Sequence, residues 1–278
     1  MCSMTQIKLP PVNSRRFTTM NTIIGNDSKW LISPSPNPSA LLRLICLPYA
    51  GGSAATYIPW ARALPEQIEL LAIQPPGRAN RLFEPCYSTM EDLGEALYQE
   101  VSNCLVEPYI ILGHSFGGLL GYELIRRIQQ NKKALPSHFI ASGCPSPDAK
   151  RQIRNIHKRS DKELIAHLKR LNDITDDVLN NQELMDLLLP KIRNDFKIVE
   201  SYQACANEKI SCKVSIFSGK KDELLSLDEQ TEWRHYFSHV EGMYQFPGRH
   251  LFIEENRSEV IDKVCDISLQ LIESELFV

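Results

Sequence analysis

Short apolar runs closed by glycine, proline or serine are the clearest pattern along the chain: residues 41–47, 68–74, 109–112 and 138–142. Their apolar positions are consecutive rather than alternating, which predicts strands covered on both faces. Between them, apolar residues recur three and four apart, predicting helices over about 54–64 and 119–128. Ser88 with Glu91 reads as a capping box opening another helix that runs to about Leu105. Strands alternating with helices in this way predict an α/β fold, a mostly parallel sheet with helices on both faces. The alternation stops at about 148–206, where the sequence is polar and helical in period, and it resumes with a strand at 213–217. That segment predicts an inserted helical lid. A last strand near 243–246 and a closing helix at about 256–272 complete one domain over 28–278.

Composition narrows the partners. With 43% hydrophobic and 23% charged residues among 278, the chain is ordinary globular material. A net charge of -3 gives no global electrostatic reason to expect nucleic acid. No apolar stretch approaches the roughly 20 residues that span a bilayer, so no membrane partner is expected. The eight cysteines are scattered singly, without a CxxC pair or metal-like spacing, which suits a reducing cytoplasm and predicts no bound metal. Residues 1–27 include Arg15 and Arg16, lack an acid before Asp27 and lack the apolar core of a secretory signal; they read as a disordered N-terminal extension.

Chemistry enters at Gly113-His114-Ser115-Phe116-Gly117, which follows the strand at 109–112 and precedes the helix at 119–128. Strand, tight turn and helix form the context of a nucleophile elbow, in which a strained turn lifts the serine Oγ above the sheet. The chain must pass close by on either side, so side chains at 113 and 117 would collide. The pentapeptide alone matches by chance in about one chain in ten of this size, so its partners must carry the argument.

A serine hydroxyl needs a base, and the base needs an orienting acid. In chain order the acid follows the serine and the histidine comes last. His250 falls in the loop between the last strand and the last helix. Asp222 follows the strand at 213–217, at the carboxyl edge where open α/β sheets build their sites. Asp148, after the strand at 138–142, is the alternative acid, though five residues separate it from that strand. His114, beside the serine, reads as turn packing. For a developing oxyanion the expected donors are the backbone N–H groups of Phe116 and Ala50, the latter in the glycine-rich loop after the first strand.

Taken together, Pro48-Tyr49-Ala50-Gly51-Gly52-Ser53-Ala54, Pro76-Gly77-Arg78 with Arg81 and Glu84-Pro85, the elbow with Gly118, Gly219 with Asp222, and Phe246-Pro247-Gly248 with His250 resemble the type II thioesterases of nonribosomal peptide and polyketide biosynthesis. The resemblance runs from about Trp30 to Ile272. It implies an α/β-hydrolase fold with Ser115 as nucleophile, His250 as base, Asp222 as acid, and Ala50 and Phe116 at the oxyanion hole. It also implies a helical lid over an acyl pocket. The implied activity is hydrolysis of acyl thioesters from carrier-protein phosphopantetheine, clearing misprimed or stalled acyl groups. The implied partners are acyl- or peptidyl-carrier proteins, with no cofactor of the chain's own, since the phosphopantetheine belongs to the substrate; a monomer is expected. The chain departs from the family in carrying Arg249 where glycine usually precedes the histidine. Lys150, Arg151, Arg154, Lys158 and Arg159 could steer an acidic carrier protein or form a solvated helix face. Competing readings are a carboxylesterase or lipase on the same fold, a medium-chain fatty-acyl carrier-protein thioesterase, and a noncatalytic acyl-binding protein.

Overall fold

The computed structural model describes residues 28–105, 108–148, 155–171, 176–204 and 208–276. The expected extension at 1–27 lies outside the described residues, as do Lys150, Arg151 and Arg154 of the basic cluster. Seven strands form one sheet in the order β1-β3-β2-β4-β5-β6-β7. They are β1 (Leu31–Ile32), β2 (Leu42–Leu47), β3 (Ile68–Ile73), β4 (Tyr109–His114), β5 (His138–Ser142), β6 (Ile210–Gly219) and β7 (Phe237–Phe246). Only β1 runs antiparallel to its neighbour.

Every residue of β2, β3, β4 and β5 is buried, as their unbroken apolar runs require. Successive side chains point to opposite faces. Ile45, Ile111, Phe139 and Ile216 therefore join one core, and Leu44, Ile110, Leu112 and Ile140 the other. Helices α1 (Met90–Val101) and α2 (Phe116–Gln130) cover the first face through Leu93, Leu97, Leu120 and Leu124. Among the described residues between β5 and β6, a 3₁₀ turn at Ile156–Lys158 precedes the helices α3 (Asp161–Leu171), α4 (Asp176–Leu179) and α5 (Gln182–Ser201). After β6 come α6 (Leu227–Thr231), then, past β7, α7 (Phe252–Glu255) and α8 (Arg257–Leu276). Val260, Ile261, Val264 and Ile267 of α8 close the second face. The inserted helices keep a small core of their own, with Ile156, Leu164, Leu168, Met185, Leu189 and Ile192.

Four expectations need correction. The helix expected at 54–64 is instead two 3₁₀ turns, Ala54–Thr56 and Ile58–Arg62, with Pro59 at the start of the second. Helix α1 is capped one residue later than expected, by Thr89, whose Oγ1 accepts the Asp92 N–H at 3.1 Å. Strands β6 and β7 begin earlier than their apolar ends suggested. Along β7 buried and exposed positions intermingle, and the polar half carries no apolar run to mark it as strand. Helix α8 extends a turn beyond Ile272.

Candidate active site

Parallel register brings the carboxyl ends of five strands to one edge: Leu47 pairs with Gly113, His114 with Ser142, Ser142 with Phe217, and Gly219 with Phe246. The loops leaving this edge carry every candidate residue, as expected of an open α/β sheet.

Ser115 sits between β4 and α2 with φ 53° and ψ -115°, a conformation that costs a non-glycine residue of order 1–3 kcal/mol. The neighbouring glycines make this turn possible. A Cβ on Gly113 would lie 2.1 Å from the Gly117 carbonyl oxygen, and one on Gly117 would lie 2.2 Å from that of Leu47. Backbone thus packs on backbone on both sides of the serine.

The acid and base loops are laced together at the ends of β6 and β7. Lys220 N–H donates to Phe246 O at 2.8 Å and Lys221 N–H to Gly248 O at 2.9 Å. Across this seam the Asp222 Oδ2 accepts from His250 Nδ1 at 2.8 Å, while Oδ1 accepts the Leu224 N–H at 2.9 Å. A carboxylate can only accept, so Nδ1 carries the imidazole proton and Nε2 presents a lone pair. That Nε2 lies 2.9 Å from Ser115 Oγ and receives its hydrogen bond. The Asp222 side chain is fully buried and that of His250 nearly so, which shields the pair from water. Arg249 fits without glycine because its φ is not positive; its N–H donates to Glu255 Oε2 at 3.1 Å.

Asp148 stands elsewhere. Burial first, and then the hydrogen bond to the Asp148 carboxylate, pushes the Tyr236 phenol well above its usual range, so that Asp148 is engaged there. The structure therefore joins Asp222, not Asp148, to His250.

His114 does more than fill the turn. Its ring is fully buried, with Nε2 3.0 Å from the His250 carbonyl oxygen and Nδ1 2.9 Å from Ser142 Oγ. A carbonyl only accepts, so Nε2 donates to it and Nδ1 accepts from the serine hydroxyl. Burial, followed by the neighbouring His250, pushes the His114 pKa well below normal and keeps the ring neutral. His250 is thus held at its backbone as well as at its ring.

Phe116 opens α2, so its N–H has no intrahelical acceptor. The Ala50 N–H sits in the turn after β2, and among the described residues neither N–H is matched to an acceptor. The helix dipole at the start of α2 adds positive potential at the same point.

One buried charge pair at this edge escapes sequence reading. Asp195 on α5 takes two hydrogen bonds from Arg78, at 2.9 and 3.0 Å, and a third from the Gly51 N–H at 2.8 Å. The available signal was an acid on an apolar stripe: Asp195 falls in step with Met185, Leu189, Ile192 and Ile198 on the buried face of α5.

Among the described residues no helix is long and apolar enough to cross a membrane, and no group of three or more His, Cys, Asp or Glu could hold a metal ion.

Comparison with known proteins gives concordant matches. A family model described as a thioesterase domain matches residues 42–267. The gramicidin S biosynthesis protein GrsT of Aneurinibacillus migulanus is 34% identical over 244 residues, covering 88% of this chain and 95% of that protein. Among solved structures, ClbQ from the colibactin NRPS/PKS pathway superposes with a TM-score of 0.78 at 31% identity, covering 84% of this chain and 99% of that one. The type II thioesterase BorB from the borrelidin biosynthetic cluster gives 0.78 at 30% identity, covering 85% and 96%.

Proposed function

The chain belongs to the thioesterase family, and from that premise we propose that it hydrolyses acyl thioesters presented on the phosphopantetheine arm of a carrier protein in nonribosomal peptide or polyketide synthesis, working in the cytoplasm to clear misprimed or stalled acyl groups. One observation carries the catalytic part of this reading: the continuous hydrogen-bond path from Ser115 Oγ through both nitrogens of His250 to Asp222. The relatives, which include proteins named for nonribosomal peptide and polyketide pathways, support the substrate class.

Ser115 Oγ attacks the thioester carbonyl as His250 Nε2 takes its proton, and Asp222 stabilises the resulting imidazolium at Nδ1. The carbonyl oxygen gains negative charge and turns toward the N–H groups of Phe116 and Ala50. Collapse breaks the C–S bond, the thiolate takes the proton from His250, and the acyl group stays on Ser115. Water then repeats the sequence with His250 as base, releasing the acid and restoring the serine. The whole catalytic domain spans 28–278, with α3–α5 acting as the lid over the acyl group. Lys150, Arg151, Arg154, Lys158 and Arg159 would supply charges that steer an acidic carrier protein.

The test offers the purified protein acyl groups on carrier-protein phosphopantetheine beside simple oxygen esters. Discharge of the carrier that outpaces ester hydrolysis and vanishes in Ser115→Ala is the expected result. Unchanged discharge in that variant would refute the nucleophile, and faster cleavage of oxygen esters would favour a carboxylesterase.

A further inference from the structure

We propose that Asp195 is a positioning residue that sets the oxyanion loop from the inserted helix α5, so that the Ala50 N–H points at the reacting carbonyl only while α5 is seated. The inference rests on the catalytic reading of Ser115 and Ala50 given above, and it assigns a task to a side chain that touches neither substrate nor the Ser-His-Asp path.

The argument begins with the turn itself. Tyr49, Ala50, Gly51 and Gly52 form a β-turn closed by Gly52 N–H donating to Tyr49 O at 2.9 Å. Gly51 holds φ +78°, the left-handed value that the third residue of a type II turn requires. The Tyr49 carbonyl and the Ala50 N–H belong to one peptide plane, so whatever orients that carbonyl aims the N–H as well.

Both free handles of the turn are gripped by the same buried ion pair. Asp195 Oδ2 accepts the Gly51 N–H at 2.8 Å, and Arg78 Nη1 donates to the Gly52 carbonyl at 3.3 Å. Arg78 and Asp195 face each other through two hydrogen bonds, a planar match that lysine cannot reproduce. The Arg78 Nε donates to Pro76 O at 3.4 Å, so the pair is tied to the loop after β3 as well. Each partner is buried, at 5% and 1% exposure, which leaves no water to replace either one. Ile192, one turn before Asp195, closes over the same spot: a Cβ on Gly51 would lie 2.9 Å from its Cγ1.

The geometry therefore makes α5 a structural part of the oxyanion hole. A helix displaced with its acyl or carrier ligand takes the acceptor of Gly51 with it, and the turn loses the group that fixes its third residue. Lid position and transition-state stabilisation become one variable.

Asp195→Asn keeps the shape but presents an amide nitrogen toward Arg78; Arg78→Lys keeps the charge but loses the planar fork. The purified full chain and both variants are assayed on a small acyl thioester and titrated with an acyl trifluoromethyl ketone. This ketone adds to the serine to form a tetrahedral oxyanion. Thermal melting is followed in parallel, and all kinetics are run well below each melting temperature. The expected result is a fall of roughly 10- to 100-fold in kcat with little change in KM, below the full loss of an oxyanion donor. The ketone's inhibition constant should rise in proportion to KM/kcat across the three proteins. If Asp195→Asn fails to fold, Arg78→Lys carries the same comparison. A lowered melting temperature with unchanged kcat and ketone affinity would show a purely structural pair and overturn the proposal. A wild-type chain that neither hydrolyses thioesters nor binds the ketone would overturn the catalytic reading of Ser115, and this proposal with it.

Discussion

Adding one methyl group at Gly113 should disable the site without touching any reacting atom. The Cβ of Gly113→Ala would lie 2.1 Å from the Gly117 carbonyl oxygen and 2.5 Å from its carbon. Ordinary carbon–oxygen contact needs well over 3 Å, so the start of α2 must retreat from β4 by about 1 Å. It cannot retreat freely, because Gly117 is already pressed against the Leu47 and Pro48 carbonyls on the other side. Ser115, two residues from each glycine, takes up the displacement. Its Oγ now stands 2.9 Å from His250 Nε2, and a further 1 Å carries it outside hydrogen-bond range. A misplacement of about 1 Å costs on the order of 100-fold in rate, or about 2.7 kcal/mol of transition-state stabilisation. The assay is kcat/KM on a small acyl thioester, read by thiol release, with a thermal melt to establish that the variant folds. Gly121→Ala is the control. Its Cβ would meet only the Phe139 ring at 3.0 Å and the Ile111 methyl at 3.3 Å, side chains that can turn aside, so kcat/KM should hold within a few-fold. A folded Gly113→Ala enzyme with wild-type kcat/KM would refute the argument that backbone contact sets the serine.

Asp222→Asn should lower kcat by roughly 10⁴-fold by offering His250 the wrong tautomer, whereas Asp148→Asn, beside Tyr236, should leave it nearly unchanged; the reverse order would reassign the acid. Burial lowers the pKa of His138 from 6.5 to about 4, so the unfolded chain takes up that proton first as pH falls. Its contribution to stability is complete above about pH 6.5 and is lost between there and pH 4, amounting to roughly 3 kcal/mol. His138→Gln, measured by denaturant titration across that range, should flatten the slope, and an unaltered slope would exclude the residue as its source. Reversing the charges of Arg151 and Arg154 should raise KM for an acyl-carrier substrate more than for a small thioester; equal effects would remove them from docking.

The central sheet was legible because strands buried on both faces write themselves as unbroken apolar runs, and β2, β3, β4 and β5 fall within two residues of where those runs predict. The edge was not. Residues 237–242 of β7 expose Ser238, His239 and Glu241, a composition as suited to a loop as to a strand. At 54–64 the apolar spacing suggested a helix, but Pro59 lacks the N–H that an unbroken helix would need there, and the chain makes two tighter turns that meet at Tyr57. Ser115, Asp222 and His250 were findable because each follows a strand end, where residue type alone suggests chemistry. Arg78 and Asp195 lie 117 residues apart, and although Arg78 falls in a recognisable motif and Asp195 on an apolar stripe, nothing in the sequence pairs them until the fold brings them together. The His114 clamp was hidden for the same reason: its partner is the main chain of His250, 136 residues away, and main chain leaves no mark in a sequence.

The span between nucleophile and base also sets a timetable for synthesis. Ser115 and His250 are 135 residues apart, so a ribosome adding roughly 5–20 residues per second completes the serine about 7–27 s before it completes the histidine. During that interval the nascent chain carries a serine with no base. Strand β7 and helix α8, which hold the His250 loop in place, also follow the serine in the chain. The growing chain therefore assembles its Ser115–His250 pair in one step, and none of the chemistry proposed for that pair can begin before β7 and the loop that follows it have been made.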